Sequence, residues 1–561
     1  MTFSRVLLLL FLLFIIAYHY IGSDGYYGWD DIHYGMYALQ FLDGSLDLAS
    51  DQHFVYRWGI FLPIAASYWT FGYNDFAMTL PSLLYTLACA ITIYRAGRLL
   101  GNETRIIALA LFSLDYYTLF YSTRPYPDTV VCTFGTLLLT LYFIHAYEKQ
   151  EARPFLYALG FSLSCFGMLA SKETVAFWLP WIVFVLVSDW YQQKRVRFWK
   201  YVIGLGLLIG VLYFGLIWWK TGNPLHRFIR MANNEFFNVC SYHLLPRSTF
   251  WWRLLWGVWD MFVANGMAIA LIFGFGGLLH ATYSSTRREI WTALWQRQTP
   301  ALFWIASFAI MLLSFNFMTT SPKYYLPMCL DGRHFLALIP LGAFASGIVL
   351  NRFLNQKQYT SGILLILLAA FATSLGKTKN MTALYGLIIG LIGTYYLISP
   401  HVLQKKIPFN FNFIQGKKYF FVTSLVLFLL VHPVCVMFFK TNPSGYRQQT
   451  SIVKKYLPPS DSSKTTKIVL TDDLNQAFGK YYYRFDPNAK TVFYTYKKAN
   501  AKLLNSYDEC YVLHNDYATP ALIAEQYYIP PYLSNPPSSF QLVGEEGKVH
   551  LYRVMDICDL E

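Results

Sequence analysis

The sequence predicts an α-helical polytopic membrane protein of about thirteen transmembrane helices, with a C-terminal α/β domain outside the cytoplasm. Three observations carry this. The 561 residues are 55% hydrophobic and only 14% charged, with a mean hydropathy of +0.34, whereas a soluble domain averages about a quarter charged. Apolar runs of about 20 residues recur along residues 1–440, each able to cross roughly 30 Å of hydrocarbon. Residues 441–561 change character, with short β-type runs set between Pro-containing turns. This balance excludes a soluble multidomain enzyme, a disordered chain and a collagen-like fibre.

The first span is Val6 to Ile21, behind Ser4-Arg5. No small-x-small cleavage site precedes the polar stretch Ser23-Asp24-Gly25, so it is expected to stay in place rather than to be removed as a signal peptide. Further spans are expected near 76–94, 105–122, 128–147, 155–170, 174–191, 200–219, 260–283, 301–319, 335–351, 360–376, 381–398 and 419–439. The apolar piece 59–71 is too short to cross and is expected to lie on the membrane or re-enter it.

Charge sets the orientation. With the N-terminus cytoplasmic, the inner loops carry Arg95/Arg98/Arg105, Lys149/Arg153, Lys194/Arg195/Arg197/Lys200, Arg287/Arg288/Arg297, Arg352/Lys357 and Lys405/Lys406/Lys417/Lys418. These clusters alternate with the spans as the positive-inside rule requires. The same Lys and Arg excess accounts for the net charge of +14, and no soluble basic module suggests nucleic-acid binding. An odd number of spans leaves the tail outside the cytoplasm. In it, strands are expected at Lys467–Thr471, Thr491–Tyr496, Glu509–His514, Phe540–Val543 and Val549–Val554, with helices at Leu474–Tyr483 and Thr519–Tyr528. Thr519 fits an N-cap and Pro520 the first helical position. The tail has no Gly-rich phosphate loop and no triad spacing. The expected domains are therefore a transmembrane catalytic unit, 1–440, and an extracytoplasmic α/β unit, 441–561.

The eight cysteines are scattered without a CxxC pair, which gives no zinc or redox motif. Most fall in or near apolar segments and read as packing residues. Cys510 and Cys558 could pair if the tail is outside the cytoplasm.

Ionisable groups collect on the external face: Gly28-Trp29-Asp30-Asp31-Ile32-His33-Tyr34, His53-Phe54-Val55-Tyr56-Arg57-Trp58, Thr123-Arg124-Pro125-Tyr126-Pro127-Asp128, Ser171-Lys172-Glu173, Ser321-Pro322-Lys323 and Asp331-Gly332-Arg333-His334. Charges at span ends are costly and tend to be functional. Of two adjacent carboxylates, one can take the proton of an attacking hydroxyl or amine while the other places the acceptor. Arg57, Lys172, Lys323 and Arg333 suit a phosphate or pyrophosphate leaving group. His53, Arg124 and Asp128 are possible supporting residues. Each feature also has a plain structural reading. Asp30-Asp31 could be a solvated helix cap, Arg124 and Asp128 an ion pair one turn apart, Lys172 an interfacial anchor and His53 a loop histidine.

On these residues the chain resembles a GT-C fold glycosyltransferase of the family holding the protein O-mannosyltransferases and the lipid A aminoarabinose transferases. The match runs through Asp30-Asp31-Ile32-His33-Tyr34-Gly35-Met36-Tyr37-Ala38, loosely through His53 to Pro63, through Arg124–Asp128, through Ser171-Lys172-Glu173 and through Arg333-His334-Phe335-Leu336-Ala337-Leu338-Ile339-Pro340. The family carries an Asp-Glu or Asp-Asp pair there, and the departures are Asp rather than Glu at Asp31, Glu173 where it has Gly, and Arg57-Trp58-Gly59 where some members have Lys-Pro-Pro. The resemblance implies transfer of a sugar from a polyprenyl-phosphate carrier to a lipid, glycan or protein acceptor at the extracytoplasmic face of a bacterial-type inner membrane, by direct displacement with inversion. Asp30 would be the general base and Asp31 would support acceptor placement. No metal or other cofactor is expected, although two carboxylates can in principle ligate Mg²⁺ or Mn²⁺. Two other readings stay open. One is a transporter or flippase of a lipid-linked substrate, against which the chain shows no internal repeat. The other is an assembly protein whose tail recruits partners.

Overall fold

The computed structural model describes the chain apart from residues 1–2, 28–29, 149–152, 234–239, 285–294, 296–298, 322, 358, 398–411, 440–443, 460–464, 487, 499–500, 525–527 and 557–561. Arg287, Arg288, Arg297, Lys405, Lys406 and Cys558 lie outside the described residues.

The chain opens with α1 (Phe3–Ile21), α2 (Asp30–Leu42), α3 (Trp58–Phe71), α4 (Asp75–Ala96), α5 (Asn102–Ser113), α6 (Tyr116–Ser122), α7 (Pro127–Tyr147), α8 (Pro154–Leu169), α9 (Leu179–Tyr191) and α10 (Val196–Thr221). It continues with α11 (His226–Asn233), α12 (Arg247–Trp252), α13 (Val258–Ala264), α14 (Ala268–Ser284), α15 (Pro300–Phe317), α16 (Leu338–Gln356), α17 (Thr360–Ser374), α18 (Lys379–Leu397) and α19 (Asn412–Phe439). Each predicted span falls on helix. Among the described residues eight helical stretches are long and apolar enough to cross a membrane alone, and three more apolar helices are shorter.

Local chemistry sets several of the helix starts. Asn74 caps α4 by accepting from the Ala77 N–H at 2.8 Å, and Pro127 and Pro154 open α7 and α8, where a missing N–H costs nothing. Two predicted spans are each broken in two. Residues 105–122 divide because the Asp115 carboxylate leaves the helix pattern to accept from the Thr118 N–H at 2.9 Å, capping α6. Residues 260–283 divide at Asn265-Gly266, where Gly266 takes φ +78°. Burial ranks the helices: 83% of the apolar stretch of α16 is buried against 11% of α10. The first is the hub of the bundle, packed on α5, α14 and α15, and the second turns nearly all its surface outward.

The C-terminal part is a small α/β domain. Its five strands are β1 (Lys467–Thr471), β2 (Thr491–Thr495), β3 (Glu509–Asn515), β4 (Phe540–Glu546) and β5 (Val549–Val554), in the order β2-β1-β3-β5-β4. The first three are parallel and β5 pairs antiparallel with both β3 and β4. Helices α20 (Tyr446–Tyr456) and α21 (Asp473–Tyr482) complete it, with α22 (Thr519–Ala524). Alternation along β1 sends Val469 into one apolar cluster with Ile452 and Leu513, and Ile468 and Leu470 into another with Leu504 and Leu533.

The cysteines depart from expectation at two places, one from the packing reading and one from the Cys510–Cys558 pairing. Cys240 and Cys329 form a disulfide across 89 residues, with Cα atoms 5.2 Å apart. Cys510 is a free, buried thiol.

Candidate active site

Asp30 and Asp31 are the first two residues of α2, at the positive end of the helix. They face different ways. Asp31 is fully buried and accepts from the Tyr27 N–H at 2.7 Å. Asp30 is partly exposed, and Arg333 reaches its Oδ2 at 3.4 Å.

Three linked charge clusters lie on this side of the bundle, and Asp30 belongs to the first and interacts with Arg57 of the third. In the first, the Arg333 guanidinium lies between Asp30 and Asp331, whose Oδ2 is 3.1 Å from Arg333 Nε, and over the Tyr126 ring at 5.3 Å. In the second, Lys172 Nζ donates to Asp128 Oδ1 at 2.6 Å and to His334 Nδ1 at 2.9 Å. In the third, Arg57 donates to the Tyr34 hydroxyl at 2.5 Å and contacts Glu173 at 3.4 Å, with its cation over Phe54 at 4.3 Å. Arg227 closes this last cluster, bonding Glu173 at 2.8 Å, the Leu169 carbonyl at 2.6 Å and the Tyr213 hydroxyl at 2.8 Å. The clusters touch electrically, since Lys172 feels the charges of both Arg333 and Arg57.

Their titration follows from burial and neighbours. Burial opposes the Arg57 charge, but Tyr34, Glu173 and Asp30 outweigh it and hold the guanidinium above its usual range. Burial likewise opposes Arg333 and is outweighed by Tyr126, Asp30 and Asp331. Burial pushes Lys172 down, against the pull of Asp128. His334 is pushed down to about 4 by burial and by Lys172, so a neutral ring offers Nδ1 to the ammonium. His53 is pushed down to about 4 by burial and by Arg57, and its ring packs on Phe54 at 4.1 Å. Two donors are left over. Among the described residues Arg57 Nε and Arg333 Nε are buried without a hydrogen-bond acceptor, although Arg333 Nε lies 3.1 Å from Asp331 Oδ2. A buried charged donor without an acceptor is expensive and marks a place where an anion would be held.

The structure therefore brings Asp30, Arg57, Lys172, Asp128 and Arg333 together, with His53 at the edge. Two placements differ from the sequence expectation. Arg124 and Asp128 are not an ion pair one turn apart. Pro125 and Pro127 break the turn, Arg124 pairs with Asp24 and lies over Phe120 at 3.8 Å, and Asp128 pairs with Lys172. Lys323 is exposed on a loop closed by the Thr319–Pro327 bridge, with its backbone N–H on Ser321 Oγ. Sequence reasoning assigned no role to Glu173, Arg227 or His334. Glu173 carried a signal, because it stands where the resembled family has Gly. Arg227 carried none. Among the described residues no group of three or more His, Cys, Asp or Glu side chains is arranged to hold a metal.

With this geometry in view, comparison with known proteins is informative. Residues 59–219 match the family model described as dolichyl-phosphate-mannose-protein mannosyltransferase. The whole chain superposes on the crystal structure of ArnT from Cupriavidus metallidurans in the apo state, with a TM-score of 0.57 and 13% identity, covering 100% of this chain and 99% of that one. It also superposes on ArnT from the same organism bound to undecaprenyl phosphate, with a TM-score of 0.54 and 12% identity, covering 97% of each chain. No curated protein matches it in sequence. At these identities the likeness to ArnT is one of fold. The resemblance to GT-C fold glycosyltransferases holds, and so does the fold class: a multi-pass helical membrane protein with a small C-terminal sheet domain.

Proposed function

We propose that this protein transfers a sugar from a polyprenyl-phosphate-linked donor to an acceptor at the extracytoplasmic membrane surface, with Asp30 as general base. The observation that carries the reading is the partly exposed Asp30 carboxylate with two buried guanidinium N–H groups nearby, on Arg57 and Arg333, that have no hydrogen-bond acceptor among the described residues. The acceptor hydroxyl or amine attacks the anomeric carbon as Asp30 takes its proton. The new bond forms at that carbon, its bond to the phosphate oxygen breaks, and polyprenyl phosphate leaves with the bonding electrons. Arg57 and Arg333 hold the departing phosphate, aided by Lys172, whose ammonium Asp128 and neutral His334 orient. Asp31 fixes the start of α2 through Tyr27 and so places Asp30. Lys323 serves at the rim. A lipid-borne donor explains why such a site is built at the ends of membrane helices: the isoprenoid stays in hydrocarbon while the phosphosugar meets polar loops.

The ArnT structure with bound undecaprenyl phosphate supports a polyprenyl-linked donor on this fold, and the mannosyltransferase match supports transferase chemistry. The Cys240–Cys329 disulfide supports the external assignment of the two loops it joins, because such bonds persist in oxidising compartments. With the loops outside, the C-terminal domain lies outside as well. The cations of the site supply the charge the leaving group needs, so transfer proceeds without a resident metal and EDTA leaves the rate unchanged. The test is release of free polyprenyl phosphate from the lipid-linked sugar pool of native membranes by the purified protein. Release in step with sugar transfer supports the reading. Movement of intact lipid-linked sugar across the bilayer without release identifies a flippase.

A further inference from the structure

The C-terminal domain grips one short segment of the membrane part, and that segment leads into Asp30. Residues 23–27 lie between α1 and α2, and each of the five makes a contact that holds it. The Ser23 carbonyl accepts from Arg447 of α20. Asp24 pairs with the buried Arg124. Gly25 takes φ +100°, and a Cβ there would lie 2.4 Å from the Tyr446 ring, so only glycine fits between α20 and the segment. The Tyr26 ring stands edge-on to Tyr446 at 4.9 Å and to Tyr481 at 5.4 Å. The fifth residue, Tyr27, gives its N–H to Asp31 at 2.7 Å.

The same tyrosines are tied to the membrane part through one carboxylate. Asp75, the first residue of α4, accepts from the Tyr481 hydroxyl at 3.0 Å and the Tyr446 hydroxyl at 3.2 Å. Tyr26 donates to the Asp75 carbonyl at 3.4 Å, and Tyr73 to the Tyr481 carbonyl at 2.7 Å. Every ring here is buried or half-buried, so the hydroxyls have little water to turn to and the bonds are directional. The domain's own crevice points the same way. In an open α/β sheet, ligands collect beyond the carboxyl ends of the parallel strands. Here Asn515, at the end of β3, is bonded to the Ser444 carbonyl at 2.9 Å and to Asn475 at 2.8 Å, and Gly445 packs against it. The entry segment of the domain fills that place.

We propose that the C-terminal domain is a positioning device for the catalytic carboxylate: Tyr446, Arg447 and Tyr481 lock residues 23–27 through Asp75 and so fix the start of α2 that carries Asp30. The proposal rests on the reading of Asp30 as general base. Its test uses the full chain with Tyr446→Phe and Tyr481→Phe combined, which removes both hydroxyls from Asp75 and keeps both rings. Three quantities are measured: affinity for polyprenyl phosphate, turnover as released polyprenyl phosphate, and deuterium uptake of residues 22–35 against Leu338–Gln356. The expected result is turnover lower by about tenfold or more, since a small misplacement of a reacting group is costly. Affinity should stay within about twofold, because the phosphate-holding groups are elsewhere, and uptake should rise in 22–35 alone. Turnover within about twofold of wild type in the folded double variant, or uptake rising equally in both regions, overturns the proposal. Should the double variant not fold, Arg447→Ala is read in the same way. It removes only a surface bond to Ser23 and should lower turnover about threefold, with Arg447→Lys restoring it, and unchanged turnover again overturns the proposal. If the wild-type protein releases no polyprenyl phosphate, the functional reading has failed, and the uptake comparison alone decides whether the clamp exists.

Discussion

Asp30 and Asp31 are adjacent, yet one is partly exposed with a single arginine against it and the other is buried on a backbone N–H. On the proposed reading Asp30, the more exposed of the two, takes the proton of the incoming acceptor. Asp30→Asn should lower transfer by about 10²–10⁴-fold and leave the affinity for polyprenyl phosphate unchanged, measured on the same folded preparation. The phosphate groups should separate by position. Arg333→Ala, which removes a donor beside Asp30, should weaken polyprenyl phosphate binding about tenfold. Lys323→Ala, exposed on its loop, should weaken it less. His53 adds a pH dependence. Its folded pKa of about 4 lies below the unfolded value near 6.5, so its contribution is complete above pH 6.5 and is lost as pH falls toward 4. That loss amounts to about 3 kcal/mol, and His53→Gln should flatten the fall in thermal midpoint across this window. The charged residues of these loops were legible because few charges have reason to sit at span ends. Their pairings were not. Lys172 meets Asp128 across 44 positions, and local spacing favoured Arg124 until two prolines turned it toward Asp24.

At the scale of elements, the loops at the charged end of the bundle are lashed to the core rather than draped over it. Cys240 and Cys329 join two of them, and next to this bond Arg253 donates from two nitrogens to the Met328 carbonyl at 2.6 and 2.9 Å. Cys329 lies four residues before Arg333, so the staple sets the loop that carries this arginine. Cys240→Ser with Cys329→Ser should destabilise the protein by about 2–4 kcal/mol, read as a lower thermal midpoint. Dithiothreitol should do the same to the wild type and nothing to the variant. The pairing could not be read from sequence, since neither cysteine sits in a patterned framework and the interval is long. The helix breaks at Asp115 and Gly266 were hidden for a related reason: apolar composition runs straight through both, and a single side-chain cap or a single positive φ decides them. The tail was more legible. Its strands alternate between two apolar clusters, and period-two alternation with Pro and Gly boundaries is a local signal that survives without tertiary information.

At the scale of the whole molecule, a bundle centred on α16 carries the charge clusters at one end, and the sheet domain stands over that end, joined to it through Asp75 and residues 23–27. If that end is extracytoplasmic, a cysteine introduced at Lys548, exposed in the turn between β4 and β5, should react with an impermeant thiol reagent in intact spheroplasts. Reaction only after the membrane is opened would reverse the orientation of the domain and of Asp30 together. The likeness to ArnT spans both parts of the chain at 13% identity. Layout is therefore retained where few side chains are, which is why chemistry has to be argued from this chain's own residues. The central claim is that Asp30 drives displacement of a sugar from polyprenyl phosphate. The direct measurement is polyprenyl phosphate released per protein from the native lipid-linked sugar pool, for wild type and for Asp30→Asn in the same proteoliposomes. Repeated release by the wild type and almost none by a folded, polyprenyl phosphate-binding Asp30→Asn is the expected result, and equal release by the two would contradict it.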